Sequence, residues 1–102
     1  MKKSSYNSSI WITPEARKRI KLCAIRYDLY HRIVYAKLVN KAKEKPLIIS
    51  PAKEKTARCA ITGKTKTWKE IKIMAAQQEV TMSNMVNFWV MTFIDTEGKW
   101  KP

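Results

Sequence analysis

Glycine, cysteine and histidine are all scarce in this chain of 102 residues: there are two glycines, two cysteines and one histidine. With glycine only at Gly63 and Gly98, the chain has no glycine-rich loop that could hold a nucleotide phosphate. The two cysteines, Cys23 and Cys59, lack metal-ligand spacing and stand among apolar residues. We interpret them as small buried residues, with a disulfide between them as the alternative.

Acidic residues are also few. Asp and Glu number eight against 21 Lys and Arg, which gives a formal net charge of +13. The acids show no paired spacing suited to a metal-dependent nuclease, and His31 is better placed for a turn or a phosphate contact than for general-base work. We therefore expect a protein that is not an enzyme and that uses no metal and no cofactor.

A long hydrophobic run is missing as well. The longest apolar stretch, Val86 to Ile94, is too short to cross a bilayer and is interrupted by polar residues. No segment has the features of a signal peptide. Since 45% of the residues are hydrophobic, a folded core is expected. These features predict a cytoplasmic protein (in the host cytoplasm if the protein is viral) with no membrane partner.

The positive charge is unevenly distributed. Residues 1–51 hold twelve Lys and Arg against three acids, residues 52–102 hold nine against five, and none of the cations lies between Gln78 and Gly98. Lysine and arginine on a small protein favour a nucleic acid partner because they displace counterions from phosphates. A solvated lysine-rich surface is the alternative. Charge does not distinguish DNA from RNA, but no aromatic-rich RNA platform motif is visible.

The chain resembles itself at an offset of 51 residues. Eight pairs are identical at this offset, and six of them lie within the two predicted copies: Ile10 and Ile61, Lys18 and Lys69, Ile20 and Ile71, Lys21 and Lys72, Ala24 and Ala75, Val39 and Val90. Conservative pairs such as Leu22 with Ile73 lie between them. The agreement in hydrophobic phase predicts two copies of one unit, each a short strand followed by two helices.

In the first copy, residues 7–13 alternate as a strand, and Thr13 with Pro14 is typical of a helix start. Two apolar stripes at helical spacing then predict two helices, the second ending before Pro46. The first stripe is Ile20, Cys23, Ala24 and Tyr27, and the second is Val34, Tyr35, Leu38, Val39 and Ala42.

In the second copy, residues 58–62 alternate as a strand. Thr67 and Glu70 have the spacing of a capping box, which predicts a helix start there, and Thr81 is suited to cap the last helix. The predicted apolar stripes are Ile71, Met74 and Ala75, then Met82, Met85, Val86, Trp89, Val90 and Phe93.

A different register is open for the second strand. Ser50 and Pro51 are suited to start a helix that Gly63 would end, and the strand would then be residues 47–50. The first register is favoured because it gives the strand an outward face of Arg, Ala and Thr. In that register, residues 45–57 are a linker, with residues 47–49 packed on the core.

The segments Ser9–Pro14 and Val80–Ser83 carry a resemblance to the ribbon-helix-helix superfamily, the Arc and MetJ type. The likeness covers nearly the whole chain, and a tandem form in one chain is similar to transcription regulators of archaeal viruses. Both copies lack the glycine of the family's turn and have Asp28 and Glu79 near it. The resemblance implies a mainly α fold with a short antiparallel two-stranded ribbon, formed by two tandem motifs as an intrachain pseudo-dimer. The expected organisation is a flexible basic arm over 1–6, a first motif over 7–44, a linker over 45–57, a second motif over 58–95 and a tail over 96–102.

The resemblance also implies how DNA would be bound. A two-stranded ribbon enters the major groove, where its outward side chains reach base edges. The base-reading residues would be Asn7, Ser9, Trp11, Arg58, Ala60 and Thr62. For Trp11, contact with a thymine methyl and packing on a neighbouring residue are equal alternatives. The phosphate-binding residues would be Arg32, Thr81, Met82 and Ser83 at the starts of the second helices, with Lys2, Lys3 and Lys64.

The function that follows is a sequence-specific regulator of transcription, with repression as the expected direction, that binds double-stranded DNA. A plasmid-transfer or architectural DNA accessory protein, or an antitoxin of the same fold, is the alternative. Self-association on DNA through the second motif is expected, with Phe88, Met91 and Trp100 as candidate contacts.

Overall fold

The fold is mainly helical, with four helices and two short strands in the described part of the chain. The computed structural model describes residues 5–45, 49 and 57–101, and the side chains of residues 10–45, 49 and 66–101. The elements in chain order are β1 (Ser5–Ile12), α1 (Pro14–Arg26), α2 (His31–Glu44), β2 (Ala57–Lys64), α3 (Thr65–Gln78) and α4 (Met82–Phe93).

Strands β1 and β2 pair antiparallel, although they lie half a chain apart. Ile10 faces Cys59 in the register, and Ile12 faces Ala57. Ile10 and Ile12 are both buried, so alternate residues of β1 contribute to the core. Because residues 57–64 form a strand, the alternative helix over 51–62 is excluded for residues 57–62.

Helices α1 and α4 begin where their hydroxyl caps predict. The Thr13 Oγ1 accepts a hydrogen bond from the Ala16 amide at 3.1 Å, and Pro14 follows in the first turn. The Thr81 Oγ1 accepts from the Asn84 amide at 3.0 Å. Each cap satisfies an amide that has no partner within its helix. Both predicted starts are confirmed.

Helix α3 begins earlier than its local signal predicts. It starts at Thr65, directly after β2, so Thr67 already lies inside the helix and the predicted capping box is wrong. The repeat itself points to the correct place, because an offset of 51 from Thr13 leads to Lys64. Glu70 forms an ion pair with Lys43 of α2, with 2.6 Å between Nζ and Oε2.

The turn after α1 is closed by a residue in the left-handed region. Asp28 has φ 55°, its amide donates to the Ile25 carbonyl, and the amide of Leu29 donates to the Ala24 carbonyl at 2.8 Å. This pair of hydrogen bonds is the Schellman motif, which satisfies carbonyls at a helix C-terminus. Asp28 thus occupies the conformation that glycine most often takes at this position.

The turn after α3 repeats this geometry 51 residues later. Glu79 has φ 58°, its amide donates to the Ala76 carbonyl at 3.1 Å, and the amide of Val80 donates to the Ala75 carbonyl at 3.0 Å. Because the hydrogen bonds are equivalent, α4 leaves its turn in the same way as α2. The missing glycines therefore do not prevent the two turns from matching.

The core is shared between the two halves of the chain. Helix α4 contacts β1, and α2 contacts β2, so the second helix of each half packs against the strand of the other. The predicted stripe of α2 is confirmed as buried throughout, and Ile49 of the linker is also buried. The largest fully buried side chains are Trp89, Tyr35, Ile12, Ile20, Leu38, Ile71, Met85, Ile94, Val34, Val39 and Val86. Tyr27, predicted in the α1 stripe, is 41% exposed because α1 ends just before it.

The residues after α4 fold back onto α1. The Asp95 carboxylate accepts hydrogen bonds from the amides of Glu97 and Lys99, and Ile94 forms a bridge with Trp100. Gly98 has φ 82°, and a Cβ on it would lie 2.6 Å from the Leu22 Cβ, so a larger residue would clash. A tail was predicted over 96–102. Residues 96–101 instead form a turn that packs on α1.

Candidate nucleic-acid interface

The strand register brings the six predicted base-reading positions together. Asn7 lies opposite Thr62, Ser9 opposite Ala60, and Trp11 opposite Arg58. Directly opposed residues of antiparallel strands belong to the same face of the sheet. The six positions therefore form three cross-strand pairs on one face.

Trp11 is the member of this set whose side chain the structure describes, and it is half exposed. Its neighbours Ile10 and Ile12 are buried, so Trp11 lies on the face of β1 that points away from the core. A tryptophan that exposes 50% of its surface beside two buried isoleucines is available for contact with a partner.

The edge of β1 is fixed to the start of α4. The Trp11 amide donates to the Ser83 Oγ at 3.0 Å. Ser83 was predicted as a phosphate contact, and in the structure its hydroxyl joins β1 to the start of α4. The distance between the two is thereby held by a direct hydrogen bond.

One turn further along α4, Asn87 holds the end of β1. The Asn87 Oδ1 accepts from the Thr13 amide at 2.8 Å and from the Thr13 Oγ1 at 3.1 Å. Asn87 is 4% exposed and is the one buried polar side chain in the part of the chain that the structure describes. Sequence reasoning missed this residue. The absence of Lys and Arg from Gln78 to Gly98 could have indicated that α4 is covered on several sides.

The start of α2 has different chemistry. Its N-cap residue, Tyr30, makes no side-chain hydrogen bond to the helix and is 70% exposed. The guanidinium carbon of Arg32 lies 4.6 Å from the centre of the Tyr30 ring, which is cation–π distance. Arg32, predicted as a phosphate contact, is thus an exposed cation in the first turn of α2.

His31 occupies the first position of α2. Loss of solvent around the ring lowers its pKa below the usual 6.5, and the nearby charge of Lys21 lowers it further. His31 is therefore neutral at pH 7 in the free protein. An imidazole with this pKa at a helix start can take up a proton when an anion binds beside it.

The other predicted phosphate contacts differ in burial and in how much of each the structure describes. Thr81 is exposed and uses its hydroxyl as the cap of α4, while Met82 is half-buried against the core. Lys64 is placed as the last residue of β2, and its side chain lies outside the described part. Lys2 and Lys3 lie outside the described residues.

The predicted self-association contacts are not exposed. Phe88, Met91 and Trp100 are half-buried and pack against the core. Trp100 is also covered by Lys41, whose Nζ lies 5.5 Å from the centre of its ring. The C-terminal turn and α4 use part of each of these side chains for internal packing, and self-association through the second motif stays a prediction.

Cys23 is buried, and burial raises the pKa of its thiol to about 11, against a smaller lowering by Lys37. A buried thiol with this pKa is unreactive at neutral pH. Among the described residues, no cluster of His, Cys, Asp and Glu could hold a metal ion. No helix within these residues has the length and apolar character needed to cross a bilayer.

A comparison with models of protein families, with curated proteins and with solved structures finds no match to this chain.

Proposed function

We propose that this protein is a sequence-specific regulator of transcription, a repressor, that binds double-stranded DNA as a tandem ribbon-helix-helix pseudo-dimer. The β1–β2 pair is the ribbon that enters the major groove. The observation that carries the proposal is the register of this pair, which brings six predicted base-reading positions onto one face with the half-exposed Trp11 among them.

The charge of the chain supports a DNA partner. A net charge of +13 on 102 residues favours binding to a polyanion, and a two-stranded ribbon fits the width of the major groove. On this face Arg58 is the residue suited to bidentate contact with guanine, and Asn7 is the one suited to adenine. Since β1 and β2 differ in sequence, the DNA site would be asymmetric.

Phosphate contacts would flank the ribbon at the starts of α2 and α4. Free helix amides and the helix dipole favour an anion there. Thr81, Met82 and Ser83 would supply this at α4, and Arg32 would supply a charge at α2, with Lys2, Lys3 and Lys64 as further cations. These contacts set the position of the protein on DNA, whereas the ribbon selects the sequence.

Selection from a random duplex pool tests the proposal directly. The whole chain should enrich one asymmetric site, and competition with unselected duplex should give a preference of about 10³-fold or more at physiological salt. Enrichment of no sequence would contradict the proposal and would favour an architectural DNA-binding protein. A reporter gene with the selected site at its promoter should lose expression when the protein is present, which tests repression.

Substitution of Arg58 tests the ribbon as the reader. Arg58→Ala should reduce the preference for the selected site by about 1–3 kcal/mol, with the loss confined to one base position. Arg17→Ala, an exposed arginine on α1, is the matched control and should leave the ratio of selected to random binding unchanged. An unchanged ratio in Arg58→Ala, with the fold intact by circular dichroism, would exclude this residue as a base contact.

A further inference from the structure

Two lysine pairs occupy equivalent positions on the first helix of each half. Lys18 and Lys21 lie on α1, Lys69 and Lys72 lie on α3, and the offset between the pairs is 51 residues. All four side chains are exposed. Packing therefore gives no reason for the two halves to have the same residue at these positions.

Three of the other identical pairs have a different explanation. Ile20 with Ile71, Ala24 with Ala75, and Val39 with Val90 are buried in the core, where the volume of each side chain matters. On the outer surface of the same helices, Arg26 is replaced by Gln77, and Ile25 by Ala76. The lysine pairs are thus the exposed positions of α1 and α3 at which the two halves agree.

One lysine of the first pair lies near the start of α2. Lys21 is near enough to His31, the first residue of α2, for its charge to act on the imidazole. The turns after α1 and α3 have equivalent hydrogen bonds, so we expect Lys72 to lie near the start of α4, as Lys21 lies near the start of α2. Since no Lys or Arg occurs from Gln78 to Gly98, any cation beside the start of α4 must come from another segment.

Within the part of the chain that the structure describes, none of the four ammonium groups has a carboxylate partner. The ion pairs within the described residues use Arg19, Lys43 and Lys99 as their cations, and none uses a lysine of the two pairs. Ammonium groups that are exposed and have no carboxylate partner are suited to contact phosphates, because no internal ion pair has to be broken.

We propose that the two lysine pairs are symmetric phosphate anchors, one beside each end of the DNA-binding ribbon. This inference rests on the proposed function and extends it to residues outside the ribbon and the helix starts. The two ends of a duplex site present similar phosphate backbones but different bases. The protein would match this target, because α1 and α3 have lysines at the same positions, whereas β1 and β2 differ in sequence.

The salt dependence of binding tests the anchors. Lys18→Gln with Lys21→Gln removes one pair, and Lys69→Gln with Lys72→Gln removes the other, with little change in helix propensity. Each double variant should lower the slope of log K against log salt by about 2, and the two should agree, because each lost phosphate contact removes about 0.9 from the slope. The affinities for selected and random duplex should fall by the same factor.

Lys43→Gln with Lys99→Gln is the control with the same loss of charge, taken from two exposed lysines that form ion pairs. It should reduce the slope by less than either test variant. An equal reduction in the control, or a reduction in one test variant alone, would overturn the proposal of symmetric anchors. Unfolding in urea should show that all three variants are folded.

The outcome separates this inference from the proposed function. If the wild-type protein prefers one sequence and the lysine variants keep its slope, the anchors are excluded and the proposed function stands. If it binds duplex without preference and both variants lower the slope equally, the anchors are supported and the sequence-specific function fails.

Discussion

The starts of α2 and α4 have the same backbone and opposite chemistry. Both follow a Schellman turn, and their N-cap residues have nearly equal dihedrals, φ −76° and ψ 153° at Tyr30 against φ −78° and ψ 155° at Thr81. At α4, neutral hydrogen bonds accepted by Thr81, Ser83 and Asn87 fix the helix to its surroundings. At α2, the equivalent positions are Tyr30, Arg32 and Ala36.

The difference separates features that the fold requires from side chains that are available for binding a partner. The turn geometry is maintained at both ends, so it is needed for the helices to interlock around a shared core. The side chains at the helix starts are not maintained, so the fold accepts either a hydrogen-bonded or a charged end. For the proposed function, the end at α4 would be held in place before DNA arrives, and the end at α2 would present charge to it.

The largest expected effect comes from removing the Asn87 side chain, which joins the first part of α4 to the end of β1. Asn87→Ala leaves the Thr13 amide and hydroxyl without their acceptor, and we expect the free energy of unfolding to fall by about 1–3 kcal/mol. Urea denaturation measures this. Asn40→Ala, an exposed asparagine on α2, is the matched control and should change stability by less than about 0.5 kcal/mol. Equal small effects would show that the contact to Thr13 does not hold the end of β1.

Substitution of the two N-cap residues should make the capping of α2 and α4 more alike. Thr81→Ala removes the hydroxyl that accepts from the Asn84 amide and should cost about 1 kcal/mol. Tyr30→Thr gives α2 the hydroxyl that it lacks, so we expect a smaller change of the opposite sign. Both are measured as free energies of unfolding in urea, and a loss of stability in both variants would contradict the comparison.

The smallest expected effect is the pH dependence of the α2 end. Because the pKa of His31 is lowered in the folded chain, the unfolded chain takes up the proton at a higher pH. The free energy of unfolding should therefore fall as the pH decreases through about 6.5, the usual pKa of histidine. His31→Gln should reduce this dependence, and an unchanged pH profile would show that His31 does not contribute to it.

Local patterns predicted several elements of the fold correctly. The hydroxyl caps at Thr13 and Thr81 and the apolar stripe of α2 follow from interactions within one helix, which a single sequence contains. The capping box at Thr67 failed because β2 runs directly into α3, and a strand paired with a distant segment outweighs a local cap. At this point the repeat was the better guide, since it marks Lys64 as the residue equivalent to Thr13.

The candidate site was less accessible to sequence reasoning. Asn87 acts on Thr13, which is 74 residues away, and no local pattern records such a contact. Trp100 was expected to be a contact for self-association, but the segment around Gly98 folds back on the molecule and packs Trp100 against the core. Both cases depend on tertiary contacts between the halves, and these are decided by the packing of the whole chain.

The pairing of β1 with β2 inside one chain has a consequence for how the protein changes over evolution. In a homodimer every substitution appears twice, so an arginine placed at one end of the assembly is unavoidably placed at the other. Here each substitution is expressed once, and Arg32 can coexist with Ser83 at the matching position of the other half. Association of the halves is also intramolecular, so dilution does not dissociate them.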